Sequence, residues 1–196
     1  NDQINFHNLD FGKTVRLTVL PGDTLDAITF VDNSSVFTYG GNIDITGTKV
    51  SVGQGAVIST RKVISNPITG LSTGDSGAII FNGNVMIGSE DPGANVAKLL
   101  TNANNGYQAG DITFKAEKKG SFSPQMGLYN NDDIAVEITL HKSEINAGNI
   151  NFYANVDTAN IFETGDSAFL KNIEPVVKFL DSFTLIAGVA RTKTRA

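Results

Sequence analysis

Five times in 196 residues the chain repeats one phrase: Gly or Asp, any residue, then Ile or Phe at alternate positions. The copies are Asp26-Ala27-Ile28-Thr29-Phe30, Gly41-Asn42-Ile43-Asp44-Ile45, Gly77-Ala78-Ile79-Ile80-Phe81, Gly110-Asp111-Ile112-Thr113-Phe114 and Gly148-Asn149-Ile150-Asn151-Phe152. A period of two puts both apolar side chains of a copy on one face of an extended strand. A strand of four or five residues cannot bury that face alone, so units of this kind persist only where neighbours stack on them. The core must therefore be built between copies rather than within one.

The likeness extends beyond the phrase. After Ile43 and Ile45 come Gly47, Val50, Val52 and Gly53; after Ile79 and Phe81 come Gly83, Val85, Ile87 and Gly88. Gly55-Ala56-Val57-Ile58-Ser59-Thr60 is echoed by Gly93-Ala94 through Leu99-Leu100-Thr101. Each repeat reads as one coil of three short strands. Glycine numbers 20, asparagine is as frequent and proline is scarce, and such turn formers separate Val, Ile, Thr and Phe runs along the whole chain.

The pattern predicts an all-β solenoid in which each strand hydrogen-bonds to its counterpart in the next coil. Ile43, Ile45, Val50, Val52, Ile79, Phe81, Ile112, Phe114, Ile150 and Phe152 would form the inner columns. Gly and Asn would take the corners, where positive φ is needed and amides can ladder. At roughly 20–25 residues per coil and about 4.8 Å per coil, eight or nine coils would make a rod about 40 Å long.

Three stretches read as excursions from the rod: Arg61 to Thr73 with Asn66-Pro67 and Gly70, Asn102 to Ala109, and Ser121 to Asp133. Solenoids usually bind through such loops. From Asn172 to Phe183 the apolar residues Ile173, Val176, Val177, Leu180 and Phe183 recur at three and four, with Pro175 in the first turn. That spacing predicts a short amphipathic helix over 172–183, laid against the rod or docking a partner, with the strand pattern resuming at Thr184. The organisation expected is a single β-helical segment over 1–196. Residues 1–40 are less regular, 41–171 hold the repeat coils, 172–183 are the helical insertion and 184–196 return to strand. The chain opens at Asn1 with neither Met nor a basic region before an apolar run, and reads as a mature or internal piece of something longer. Cut coils would leave strand edges that favour end-to-end stacking.

Composition excludes several functions. Fifteen Lys and Arg against 20 Asp and Glu, a net charge of −5, give no basic face to displace counterions from nucleic acid or to meet an anionic membrane. With no cysteine there is no disulfide framework, thiolate zinc site or thiol nucleophile. No run of about 18 apolar residues could span a bilayer.

Gly74-Asp75-Ser76-Gly77 before an apolar strand looks like the nucleophile loop of a chymotrypsin-like protease. A reactive serine needs a histidine base and a carboxylate to orient it. Only His7, in a polar amino-terminal stretch without the apolar-strand context a catalytic histidine needs, and His141, after the strand Ile134 to Leu140, are available. Thr73-Gly74-Asp75-Ser76 also recurs as Thr164-Gly165-Asp166-Ser167. Duplication suits a turn rather than a nucleophile, and Gly-Asp-Ser is good turn chemistry.

The paired acids Glu90-Asp91, Asp132-Asp133 and Glu137 with Glu144 are the remaining candidates. Glu90-Asp91 and Asp132-Asp133 fall in loops, where a structural calcium is conceivable, and no basic cluster accompanies them as a sugar-cleaving site would want. No catalytic, cofactor or metal residue is assigned. An ice-binding solenoid would need regular Thr ranks, and Thr46, Thr48 and Thr60 are expected to have no counterparts in later coils.

The phrases "GNIDITGTKVSVGQGAVIST", "GDSGAIIFNGNVMIGS", "AKLLTNANNGYQAGDITFKAEKK", "KSEINAGNINFYANVDTANIF" and "FLDSFTLIAGVARTKTRA", spread over Gly41 to Ala196, resemble the body of large bacterial filamentous adhesins. Within the filamentous-haemagglutinin-like group they are most similar to the leukotoxin-type adhesins. The resemblance implies a right-handed parallel β-helix, secreted to the bacterial cell surface as a shaft that attaches to host or neighbouring cells, or to copies of itself end to end. It brings no catalytic motif and no cofactor, and implies a protein that is not an enzyme. A carbohydrate-active β-helix, lyase or glycoside hydrolase, is the alternative; it would show two carboxylates about 5–10 Å apart in a cleft.

Overall fold

The computed structural model describes residues 3–10, 15–18, 27–118, 137–156, 176–179, 183–186 and 189–195. Every regular element among them is a β-strand. In chain order these are β1 (Gln3–Asp10), β2 (Val15–Thr18), β3 (Ala27–Phe37), β4 (Ile43–Val52), β5 (Val57–Ser59), β6 (Ile79–Ile87) and β7 (Ala97–Leu100). They continue as β8 (Ile112–Lys118), β9 (Glu137–Leu140), β10 (Ser143–Asn146), β11 (Asn149–Val156), β12 (Val176–Phe179), β13 (Phe183–Ile186) and β14 (Val189–Arg195). All pairings between these strands are parallel.

The pairings resolve into three ladders. The first runs β2, the start of β4, the start of β6, β8, β11 and β14. The second runs through the starts of β1 and β3, the ends of β4 and β6, then β9 and β12. The third joins the ends of β1 and β3 to β5, β7, β10 and β13. The chain visits first, second and third ladder in turn and then returns to the first, one rung further on. That path and its parallel pairing fit a β-solenoid.

Register is set by the buried faces, because a slip of one residue would turn every apolar side chain outward. On the first ladder Ile43, Ile79, Ile112 and Ile150 stand opposite one another, as the repeat predicts. Beside them Ile45 leads into Phe81, Phe114 and Phe152, whose rings stack at 5.1 and 4.9 Å with interplanar angles of 4° and 3°. Stacking of this kind adds about 0.5–1.5 kcal/mol per pair to the burial of each ring. The second ladder aligns Ile28, Val50, Val85 and Ile138, and the third Val36, Ile58, Leu99 and Ile145. All of these are buried and belong to one continuous core.

Three expectations are corrected. Val15, Ile43, Ile79, Ile112, Ile150 and Ala190 share a register on the first ladder, so successive coils take 28, 36, 33, 38 and 40 residues rather than 20–25. Six rungs, not eight or nine coils, give the described stack a length of roughly 25 Å at the usual strand spacing. Among the described residues the loops 60–78, 88–96 and 101–111 lengthen their coils without adding rungs.

The Asp26 copy of the phrase belongs to the second ladder, where Ile28 and Phe30 pair with Val50 and Val52. Period-two patterning marks a strand but not the ladder it joins.

The helix expected over 172–183 is overturned within the described residues. Residues 176–179 are β12, paired with Glu137–Leu140, and Phe183 opens β13, paired with Ser143. Positions 172–175 and 180–182 lie outside the described residues. Two strands on successive ladders, 176–179 and 183–186, carry this spacing, and the open backbone edges of β9 and β10 supply hydrogen-bond partners that favour strand for the β-branched Val176-Val177.

Candidate functional site

The corner between the third and first ladders carries the most chemistry. It is built on a threonine rank and a glycine rank. Thr38, Thr60 and Thr101 end the third-ladder strands of successive coils and are fully buried. Their hydroxyls donate to the carbonyls of Gly41, Gly77 and Gly110 at 2.5, 2.6 and 2.6 Å. Thr60 therefore does have counterparts, contrary to expectation, but they face inward and offer no regular surface. In the next coil Ala147 occupies the position, and Gly148 follows at once.

The glycines need room rather than positive φ. A Cβ on Gly77 would sit on the Gly41 carbonyl, one on Gly110 on the Gly77 carbonyl, and one on Gly148 2.8 Å from the Ala109 carbonyl oxygen. The coils cross here backbone to backbone.

Two excursions leave this corner, as the sequence predicts. Residues 60–78 separate β5 from β6, and 101–111 separate β7 from β8. The first is organised by Arg61, which is only 3% exposed. Its Nη1 donates to the carbonyls of Pro67 and Ile68 at 3.3 and 2.5 Å, its Nη2 to Gly70 at 2.6 Å, and its Nε to Asn102 at 3.3 Å. Burial pushes the guanidinium below its ordinary value by desolvation. Arginine nonetheless keeps its proton in proteins, so the charge is held by four carbonyl dipoles. Asn66 closes the tip: its Oδ1 accepts from the amides of Ile68 and Thr69.

The two excursions are tied to each other. Ser72 N–H donates to Asn104 Oδ1 at 2.6 Å, Asn104 N–H returns to Ser72 Oγ at 3.1 Å, and Asn105 Nδ2 donates to Ser72 O at 3.5 Å. Gln108 N–H donates to Asp75 Oδ1 at 2.9 Å. In sequence Arg61 is one of several scattered basic residues, and its one distinction is that it opens the Pro- and Gly-bearing excursion.

Ser76 lies in this corner, partly buried, with its Oγ donating to Asn102 O at 3.2 Å and its N–H to Gln108 O. His141 sits between the second and third ladders, buried, with its Nε2 3.7 Å from Glu90 Oε1. The histidine thus faces a carboxylate at a different corner from Ser76. His7 lies inside β1, at its register irregularity, and so does have strand context. The second Thr-Gly-Asp-Ser copy, Thr164 to Ser167, falls outside the described residues.

The acids are spread out. Glu90 and Asp91 are exposed on the loop between β6 and β7, where Asp91 Oδ1 accepts from Gly93 N–H. Glu144, on the third ladder, pairs with Lys98 at 3.0 Å, while Glu137 opens β9 on the second. Asp132 and Asp133 lie outside the described residues, as does the excursion 121–133. Among the described residues no three His, Cys, Asp or Glu side chains converge to hold a metal ion, and no helix is long and apolar enough to cross a membrane. A second polar rank lines the corner between the second and third ladders. There Gln54 bonds Asp32 through its amide and side chain, Asn95 N–H donates to Gln54 Oε1, and Asn95 Nδ2 donates to Asn33 Oδ1.

Comparison with protein-family models, with curated proteins and with solved structures finds no match to the chain in any of the three.

Proposed function

We propose that the chain is a segment of the shaft of a secreted bacterial surface filament, a right-handed parallel β-helix that carries attachment to cells or surfaces and is not an enzyme. One observation supports this above the rest: three parallel ladders run over six rungs, with a stacked Phe81, Phe114 and Phe152 column on the first. Such a stack is extensible, since each coil depends only on its neighbours. Loops leaving one corner can then be displayed at intervals along a stiff body. The sequence phrases of Gly41 to Ala196 point to the adhesin shaft among the uses a solenoid can serve.

Electron microscopy of the intact secreted material tests the reading, together with adhesion of beads coated with this chain to epithelial cells. Rods a few tens of ångströms wide and bead attachment above an uncoated control are expected. Compact particles, or depolymerisation of polysaccharide without attachment, would transfer support to the carbohydrate-active alternative.

A further inference from the structure

We propose that the paired excursions 63–73 and 101–110 form a self-association surface on which a second copy of this chain docks side by side, corner to corner. This goes beyond the shaft reading, which rests on the ladders and stands whether or not the copies associate.

Three large apolar side chains are left in solvent here. Ile64 is 88% exposed, Leu71 64% and Tyr107 44%. Val63 and Ser72 form an antiparallel bridge, so Ile64 and Leu71 are the next opposed pair outward on the two arms of the loop. Tyr107 sits on the neighbouring excursion, whose Asn104 is bonded in both directions to Ser72. The two excursions are therefore bonded into one unit drawn from two coils, and Arg61 holds the carbonyls of the first. A pre-ordered surface loses little conformational entropy when it binds.

Charge selects the occupant. No Asp, Glu, Lys, Arg or His occurs in 63–73 or in 101–110, although 18% of the chain is charged. Two copies, each at −5, repel over most approaches. An apolar patch is self-complementary under two-fold symmetry, and exposed Lys62 and Asp75 stand at its border rather than within it. A polyanion or an anionic lipid would find nothing to pair with. Two of the loop side-chain oxygens are taken up within the loops themselves. Asn66 Oδ1 accepts from Ile68 and Thr69, and Asn104 Oδ1 from Ser72.

The area sets the strength. Three side chains of this size at these exposures present on the order of 300–400 Å² per copy, about half of the roughly 800 Å² per partner that a stable interface buries. A single contact is thus at the weak end of the range for specific interfaces. Repetition of the contact between two aligned filaments would multiply it through effective concentration.

Sedimentation velocity of this chain from about 10 µM to about 1 mM tests the proposal. The expected result is a mean mass that rises with concentration and is not reduced by about 1 M NaCl, since apolar contacts are not screened. The double variant Ile64→Ser/Leu71→Ser should weaken association at least tenfold with unchanged circular dichroism and melting, because neither side chain is buried. Met86→Ser, which removes an exposed apolar side chain from β6, should leave it intact. A monomer at every concentration overturns the proposal. So does association that survives the double variant, as stacking through strand edges would, or that salt abolishes. Saturable binding of a neutral oligosaccharide at Tyr107 by a strictly monomeric chain would assign the surface to that ligand instead.

Discussion

Thr60 donates its hydroxyl to the carbonyl of Gly77, seventeen positions on, across 2.6 Å and closes the neck of an excursion. The same bond joins Thr101 to Gly110 one coil later. The loops can vary in length because their necks are pinned by identical chemistry.

Replacing Thr60 by Val keeps the shape and removes the donor. The Gly77 carbonyl then loses a buried partner, and stability should fall by about 1–3 kcal/mol. Thr60→Ser retains the hydroxyl and should recover most of that loss. Urea unfolding of the three proteins checks the order: a Val variant as stable as the parent would show that the bond contributes nothing.

Glycines of this fold should divide into two kinds. Gly110→Ala places a methyl group on the Gly77 backbone carbonyl, which no side-chain rotation relieves. A loss of about 3 kcal/mol or more is expected, or failure to fold. Gly106 has φ +79° and open space around its Cβ position. Gly106→Ala should therefore cost only about 1 kcal/mol, from backbone strain alone. Thermal melts of both variants decide between crowding and conformation.

Phe114 is the central ring of the stack, between Phe81 and Phe152. Phe114→Ala should destabilise by about 3–5 kcal/mol through lost burial and the cavity left behind. Phe114→Leu restores most of the volume but not the stacking, and should cost about 1–2 kcal/mol. Chemical denaturation gives both values; a Leu variant as stable as the parent would mean that the ring geometry is incidental.

Arg61→Met removes four donor contacts while filling much of the same space. The carbonyls of Pro67, Ile68 and Gly70 lose their partner inside the loop. Amide exchange over 66–73 should quicken at least tenfold, an opening free energy lower by about 1.4 kcal/mol or more, while β4, β6 and β8 keep their protection. Uniform acceleration across the ladders would mean that Arg61 supports the whole stack.

Much of the local structure could be read along the chain. Alternation at Ile43 and Ile45, Ile79 and Phe81, Ile112 and Phe114, and Ile150 and Phe152 identified both the strands and their common inward face. It did so because side-chain direction in a strand has a fixed period. The excursions at 61–73 and 102–109 were visible because Pro, Gly and Asn interrupt that period. The candidate surface was legible only as two separate loops. That the loops are joined depends on the Ser72 to Asn104 bonds, 32 residues apart in sequence.

Strand identity, corner chemistry and the columns that must meet follow from the order of residues, since each is a property of a few neighbours and their periodicity. Ladder membership, coil length and the burial of Arg61 do not. Ile28 pairs with Val50 rather than joining the Ile43 column, and 176–179 form a strand in a segment with helical spacing. Both outcomes depend on which backbone edge the neighbouring coil presents, and Arg61 depends on where four distant carbonyls converge. These are contacts between remote parts of the chain, and they exist only once the coils are stacked.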